Sequence, residues 1–155
     1  MSTDLIWRTS STGLSDTERL AVRMGEKLRG GETIELISDV GGGKTTFVKG
    51  LAKGFGSSDV VASPSFTISR EYVAGDKTMH HFDFYRLNDP GIVANELTEV
   101  VVDDKAVTVV EWADIVEDVL PAKHLTIRIT NTGETSRDYE ISYPESLAYL
   151  ISDNT

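Results

Sequence analysis

The chain has 155 residues, of which 39% are hydrophobic and 26% are charged, which is ordinary for one globular domain with a core. It has no cysteine, and this excludes disulfides and thiolate metal sites. The formal net charge of -10 argues against nonspecific attachment to nucleic acid or to an anionic membrane, because both depend on clustered lysine and arginine.

The sequence has no apolar run long enough to predict a transmembrane helix. Its first residues, MSTDLIWRTS, lack the charged-then-apolar pattern of a signal peptide. We therefore expect a cytoplasmic protein without membrane contact, folded as one domain over residues 1–155.

The first predicted element is a helix. The segment from Ser15 to Glu18 has the pattern of a capping box, in which the serine caps a backbone N–H group and the glutamate reaches back. Four apolar side chains then recur on one helical face, and Gly30-Gly31 ends the helix. These four are Leu20, Ala21, Met24 and Leu28.

A strand, a glycine-rich loop and a second helix come next. The strand covers Thr33 to Ser38, and three glycines follow it. The second helix passes through Thr46 to Leu51 and is expected to stop near Gly54 and Gly56.

The second half of the chain predicts a hairpin and further alternating elements. Strands at Phe66 to Val73 and Thr78 to Tyr85 flank a turn at residues 74–77. Later elements are a helix from Ile92 to about Val100, a buried strand from Ala106 to Trp112, a short helix before Pro121, strands at Leu125 to Thr130 and Tyr139 to Tyr143, and a short helix at Leu147 to Ile151. We therefore predict an α/β fold with a central, mostly parallel sheet plus an antiparallel hairpin.

The stretch SDVGGGKTTF, Ser38 to Phe47, has the features of a phosphate-binding loop. Gly43-Lys44-Thr45 supplies the second half of the pattern G-x-x-x-x-G-K-[ST], although a serine stands where the pattern begins with glycine. The glycines let backbone N–H groups point at phosphate oxygens, and the helix N-terminus adds further donors. Lys44 would offset charge on the β- and γ-phosphates, and the Thr45 hydroxyl would ligate magnesium. The alternative is a plain glycine-rich turn before a helix.

A phosphate-loop enzyme also needs a carboxylate near magnesium, usually at the end of a buried strand. Glu111 follows four apolar or β-branched residues, 107–110, and fits this requirement. The alternative is an exposed acid at a strand end. Trp112 is most simply interpreted as a packing residue beside the site.

Two further segments have patterns that suit a site. In His81 to Arg86 (HFDFYR), alternation places His81, Asp83 and Tyr85 on one strand face, although a solvated face of a hairpin gives the same pattern. Ser63 to Thr67 (SPSFT) has hydroxyls that can contact a γ-phosphate or position water, or it is a proline turn entering a strand.

Taken in order, the phosphate loop, SPSFT, HFDFYR and Glu111-Trp112 resemble the TsaE family, formerly called YjeE. These are small bacterial ATPases of tRNA threonylcarbamoyladenosine synthesis. The resemblance covers nearly the whole chain, to about Tyr143. The chain departs from the family pattern by small-for-small changes at Ser38 and Gly42, where glycine and alanine are usual, and at Ser65, where threonine is usual.

The resemblance implies a compact P-loop domain that binds and hydrolyses ATP with magnesium. It implies support of the TsaB–TsaD complex, which transfers a threonylcarbamoyl group onto the adenosine beside the anticodon of tRNAs that read codons starting with A. Contact with tRNA would occur only through that complex, and the acidic charge agrees with this.

The resemblance also assigns roles to residues of this sequence. Thr45 and Glu111 would hold magnesium. Asp83 would be needed for hydrolysis, either through the metal shell or by orienting water, and Lys44 would also be catalytic. Thr67 would be a switch-type contact. The phosphates would be cradled by Val40, Gly41, Gly42, Gly43, Lys44, Thr45 and Thr46. The base or ribose would be approached by residues 16–18, including Glu18, and by Ser136 and Arg137.

Three other functions remain open at this point. A small-molecule kinase usually carries arginines in a lid, and the segment from Ile92 to Lys105 contains none. A nucleotide-binding regulator without hydrolysis would leave Asp83 and Glu111 unexplained. A GTPase would need a base-reading [NT]-K-x-D motif, which the sequence lacks.

Overall fold

A computed structural model describes residues 4–38, 44–59, 69–84 and 91–151. Within these residues the chain forms seven strands, three α-helices and two 3₁₀ helices. The strands are β1 (Leu5–Ser11), β2 (Thr33–Ser38), β3 (Ser69–Ala74), β4 (Lys77–Asp83), β5 (Ala106–Glu111), β6 (Leu125–Asn131) and β7 (Arg137–Tyr143). The helices are α1 (Leu14–Lys27), α2 (Lys44–Phe55) and α3 (Gly91–Val100), with 3₁₀ helices at Ala113–Val119 and Glu145–Leu150.

The seven strands form one sheet in the order β1-β7-β6-β2-β5-β4-β3. The central strands β6, β2, β5 and β4 run parallel, whereas β3, β7 and β1 pair antiparallel to their neighbours. This confirms the predicted α/β fold with a mostly parallel centre and an antiparallel hairpin, which is formed by β3 and β4.

Helices cover both faces of the sheet. On one face, α1 and α2 pack in a core whose members include Met24, Phe47, Leu51, Val107, Val109 and Ile127. On the other face, a second cluster beside α3 and the first 3₁₀ helix contains Phe82, Phe84, Leu97, Val110, Ala113, Val116 and Leu120. No helix in the described ranges is both long and apolar enough to cross a membrane.

The helices α1 and α2 lie side by side in parallel, at very close range. A side chain at Gly50 would come within 3.1 Å of the Glu18 carbonyl oxygen, and one at Gly54 would collide with the Val22 carbonyl oxygen. Gly54 therefore packs against α1 in the last turn of α2, and α2 ends at Phe55, as predicted near Gly54 and Gly56. Close backbone approach explains why both positions need glycine.

The start of α1 corrects the predicted capping box. The helix begins at Leu14, the cap position is Gly13, and no side chain caps it. Asp16, not Glu18, reaches back to the segment before the helix. Its Oδ2 accepts hydrogen bonds from the Thr12 backbone N–H at 3.1 Å and from the Thr12 hydroxyl at 2.9 Å. The backbone hydrogen bond from Thr12 is the main cause that lowers the pKa of Asp16.

Other differences lie at element ends. The strand β1 was not predicted, and it exists through pairing with β7, in which Leu5 lies opposite Tyr143. The strand β5 ends at Glu111 because Trp112 adopts a left-handed backbone with φ of 56°. Predicted strand residues 66–68 and Tyr85 lie outside the described residues.

Glu32 ties the turn after α1 to the C-terminal 3₁₀ helix. Its buried carboxylate accepts hydrogen bonds from the backbone N–H groups of Arg29, at 2.8 Å, and Gly30, at 2.7 Å, and from the Tyr149 hydroxyl at 2.5 Å. Burial, followed by the bond to Glu32, raises the pKa of Tyr149. The hydroxyl is therefore the donor in this contact.

We expect Glu32→Ala to lower the free energy of unfolding by about 3 kcal/mol, because buried donors lose their acceptor. Urea denaturation measures the change. Glu26→Ala, which removes an exposed carboxylate from α1, is the matched control and should shift the midpoint little. Equal effects of the two substitutions would show that Glu32 is not a structural tie.

His124 pins the start of β6 to β2. Its Nδ1–H donates to the Pro121 carbonyl oxygen at 2.7 Å, and Nε2–H faces Glu35 Oε1 at 3.4 Å. The hydrogen bond to Glu35 raises the pKa of His124 above its ordinary value of 6.5, and the charges of Glu35 and Asp4 act in the same direction.

A raised pKa in the folded state stabilises the fold while the imidazole is protonated. The contribution is complete below the ordinary value of 6.5 and is lost as the pH rises through the folded value. We expect His124→Gln to destabilise the protein most at acidic pH and progressively less as the pH rises. Thermal denaturation of parent and variant across this range tests it, and a pH-independent difference would contradict the assignment.

Candidate functional site

The candidate site lies at the carboxyl ends of the parallel strands. β2 ends at Ser38, β5 at Glu111 and β4 at Asp83, and in a parallel sheet these ends share one edge. The helix α2 begins at Lys44. Phe47, in the first turn of α2, packs against Tyr139 with ring centroids 5.9 Å apart, and Tyr139 lies level with the end of β2 through Ile129 of β6, so the N-terminus of α2 lies at that same edge. A strand therefore leads in and a helix leads out, as the phosphate-loop interpretation requires.

Glu111 is a buried carboxylate at this edge. It is 4% exposed, and every residue of β5 is buried. On β5 it alternates with Val107 and Val109, which pack in the core beneath α1 and α2, so its side chain faces the layer of α2. The alternative of an exposed acid is wrong for this residue.

His81 lies directly against Glu111. Its side chain is 1% exposed, and its Nε2 is 2.5 Å from Glu111 Oε2. Its Nδ1 faces the Tyr72 hydroxyl at 3.4 Å. A buried histidine in contact with a buried glutamate excludes the solvated-face alternative for this part of β4.

Asp83 stands beside Glu111 on the neighbouring strand. The parallel register pairs Asp83 with Glu111, and the backbone N–H of Phe84 donates to the Glu111 carbonyl oxygen at 3.1 Å. Phe82 and Phe84 belong to the cluster on the other face of the sheet, as alternation predicts. Asp83 is half-buried and lies on the face of His81 and Glu111. Tyr85 and Arg86 lie outside the described residues.

Comparison with known proteins decides the family. A family model described as "Threonylcarbamoyl adenosine biosynthesis protein TsaE" matches residues 11–139. The chain belongs to the TsaE family. The relative named tRNA threonylcarbamoyladenosine biosynthesis protein TsaE in Bacillus subtilis is 36% identical over 138 residues, which cover 86% of this chain and 82% of the relative.

Two further matches span nearly all of the chain. The TsaE protein of the same name in Nostoc is 30% identical over 145 residues, which cover 92% of this chain and 89% of the relative. The crystal structure of YdiB from Bacillus subtilis superposes with a TM-score of 0.77 at 30% identity, covering 100% of this chain and 99% of that one. The fold is that of a P-loop NTPase-like domain.

The donor set at the TsaE-family site suits magnesium. Carboxylates of Glu111 and Asp83 on adjacent strands and the hydroxyl of Thr45 in the first turn of α2 are oxygen donors, which magnesium prefers. In the described parts of the chain, no three acidic or histidine side chains gather to hold a metal. Magnesium at nucleotide sites needs no such cage, because one or two carboxylates act with phosphates and water.

The segments assigned to the base or ribose come together at the same end of the molecule. Thr135 donates a hydrogen bond to the Thr12 carbonyl oxygen at 3.1 Å, which joins the β6–β7 loop to the segment before α1. Because Glu18 lies beside Gly50 and the helices are parallel, the first turns of α1 and α2 lie at one level.

Side chains in these segments contact other residues of the same chain. Glu18 forms an exposed ion pair with Lys53 at 3.1 Å. Arg137 donates through Nη1 to the carbonyl oxygens of residues 133, 134 and 136, and so closes its own loop. The contacts of Glu18, Ser136 and Arg137 with a nucleotide stay predictions.

Trp112 differs from its interpretation as a packing residue. It is 36% exposed, and its left-handed backbone turns the chain sharply after Glu111. With Ser38 and Asp114 it lines a cavity of about 110 Å³ beside the carboxyl end of β2.

Several assigned residues lie outside the described part of the chain. They are Val40, Gly41, Gly42, Gly43 and Thr67, and the side chain of Lys44 is likewise not described. Thr45 and Thr46 are half-buried in the first turn of α2. His81 was missing from the assigned site, although alternation had placed it on the face of Asp83. Its contact with Glu111 depends on β4 lying beside β5, which no local pattern shows.

Proposed function

We propose that this chain is a magnesium-dependent ATPase that acts as an accessory protein in forming threonylcarbamoyladenosine in tRNA. Its relatives carry the name of that biosynthesis. The proposal rests on one observation, the buried carboxylate of Glu111 at the carboxyl edge of the sheet. Glu111 pairs in register with Asp83, and its side chain faces α2, the helix that follows the glycine loop. The proposed unit is a single cytoplasmic domain over residues 1–155.

Some of the assigned residues bind the nucleotide and magnesium, and others act in hydrolysis. N–H groups of residues 40–46 cradle the phosphates, and Lys44 offsets the charge of the β- and γ-phosphates. Thr45 and Glu111 hold magnesium, which when bound neutralises charge that develops on the transferred phosphoryl group. Asp83 acts in hydrolysis, either through the metal shell or by orienting the attacking water, and Thr67 makes a switch-type contact.

The proposed partners are the TsaB and TsaD proteins, whose complex carries out the transfer to tRNA. The chain supports repeated turnover of that complex and meets tRNA only through it. A net charge of -10 supports docking on protein and gives no basis for direct binding of the phosphate backbone. Hydrolysis is weak alone and stimulated by the partner complex.

Reconstituted modification tests this proposal. Purified TsaB–TsaD complex, tRNA and threonylcarbamoyl adenylate are incubated with ATP, with or without a catalytic amount of the chain, and modified nucleoside is counted by mass spectrometry. We expect several modifications per complex only when chain and ATP are both present. Equal yields with and without the chain would contradict an accessory role.

A further inference from the structure

We propose that His81 is a positioning residue that holds the Glu111 carboxylate in place for magnesium. The inference rests on the proposed function, because it concerns the same metal site. It goes beyond that function by assigning a role to a residue that meets neither nucleotide nor metal in the assigned site.

His81 and Glu111 are in direct, buried contact. His81 Nε2 and Glu111 Oε2 are 2.5 Å apart, and both side chains are almost fully buried, at 1% and 4% exposed. A carboxylate cannot donate, so the hydrogen lies on Nε2 and the bond fixes one carboxylate oxygen. This restricts rotation of the carboxylate about its last bond.

The imidazole ring of His81 is held in one orientation by contacts on both sides. On its other side, Nδ1 of the ring lies 3.4 Å from the Tyr72 hydroxyl on β3. The Tyr72 and His81 rings also pack against each other, with centroids 6.2 Å apart. The ring is therefore held from β3 on one side and presented to β5 on the other.

The location of the His81–Glu111 pair is unusual for a buried structural contact. Burying an ionisable pair gives little net stability compared with apolar residues of similar volume. The rest of this face of β5 is apolar, with Val107 and Val109. Within the described residues, the polar pair on this face lies at the end of β5, which is the carboxyl edge of the sheet. The helix α2 begins at that same edge. Partners that orient a metal-binding group typically change metal affinity about 10- to 100-fold when removed.

Two amide substitutions form a matched pair for the test. In His81→Gln, the side-chain amide nitrogen reaches the position of Nε2 and can still donate to Glu111. In His81→Asn, the shorter amide reaches only the position of Nδ1, beside Tyr72. Both variants are polar and smaller than histidine, so a purely structural role predicts similar losses in both.

Three quantities are measured for parent and variants. Mn²⁺ binding in the presence of ADP is followed by electron paramagnetic resonance, ADP affinity is measured in EDTA by calorimetry, and the melting temperature reports folding. We expect Mn²⁺ affinity to fall about 10- to 100-fold in His81→Asn and only a few-fold in His81→Gln. ADP affinity in EDTA should stay within about threefold in both, since ADP there binds without metal.

The outcomes separate the two proposals. Unchanged Mn²⁺ affinity in His81→Asn, or equal losses of Mn²⁺ affinity in the two variants, would overturn the positioning role of His81. The ATPase proposal would still stand if the parent protein binds ADP and Mn²⁺. Failure of the parent to bind ADP would overturn the proposed function and this inference together. If His81→Asn does not fold, Tyr72→Phe replaces it. That variant removes only the Tyr72 hydroxyl that contacts His81 Nδ1, and it should weaken Mn²⁺ binding. Unchanged Mn²⁺ binding would contradict the claim that the orientation of the His81 ring positions Glu111.

Discussion

Replacing Glu111 by glutamine is expected to lower ATP hydrolysis on the order of 100-fold, because the charge that is proposed to hold magnesium is lost. The substitution conserves volume, and the amide oxygen can still accept the hydrogen bond from His81 Nε2, which is 2.5 Å from the carboxylate. The buried contact is thereby retained, and the fold should be too. ATP affinity measured in EDTA should change by no more than about threefold.

Glu35→Gln is the matched control for Glu111. Glu35 is a half-buried glutamate on the neighbouring strand β2, and it pairs with His124. It lines the cavity beside Trp112 and alternates with Ile34 and Leu36, which face α1 and α2, so it lies on the opposite face from Glu111. Its loss should leave hydrolysis nearly unchanged. Equal hydrolysis by parent and Glu111→Gln would make the catalytic assignment wrong.

The second large effect is expected for Lys44→Ala. Its ammonium group would form charge-assisted contacts with the β- and γ-phosphates, and such contacts contribute about 1.5–3 kcal/mol each. Removal of the side chain should therefore weaken ATP binding on the order of 100-fold. Calorimetric titration with ATP measures the dissociation constant directly.

Lys49→Ala controls for loss of a positive charge on the same helix. Lys49 is exposed on α2, beyond its first turn. Its replacement should leave ATP affinity within about twofold, because an exposed charge at that distance is screened by salt. Unchanged ATP affinity in Lys44→Ala would contradict the phosphate-loop interpretation of residues 38–47.

Local sequence patterns predicted the elements that lead into the site. The bounds of β2 were correct at both ends, and α2 follows the glycine loop as expected. Alternation along β4 correctly separated Phe82 from His81 and Asp83. These features depend on neighbours in the chain, such as strand periodicity and the conformational demands of glycine.

Features that depend on pairing between strands far apart in the sequence could not be predicted from local patterns. β1 (LIWRTSS) is mostly exposed, has no clear strand alternation, and forms its strand by pairing with β7. The contact between His81 and Glu111 requires β4 to lie beside β5, although α3 separates them in the chain. The capping box failed because Thr12 bonds to Asp16, so the helix starts earlier than the serine suggested.

The resemblance to the TsaE family supplied what physical patterns could not. Matches to the family model and to relatives confirm the family. The roles of all the assigned site residues stay predictions, and Thr67 and residues 40–43 also lie outside the described ranges. Magnesium and ATP as ligands also stay predictions, and the substitutions above test them.

The most direct test of the central claim is ATP hydrolysis by the purified chain, alone and with purified TsaB–TsaD complex, with Glu111→Gln measured in parallel. The account predicts slow hydrolysis alone, a marked increase with the complex, and loss of both activities in the variant. No response to the complex, together with stimulation by a small phosphate acceptor, would contradict it and would favour a kinase that shares only the fold.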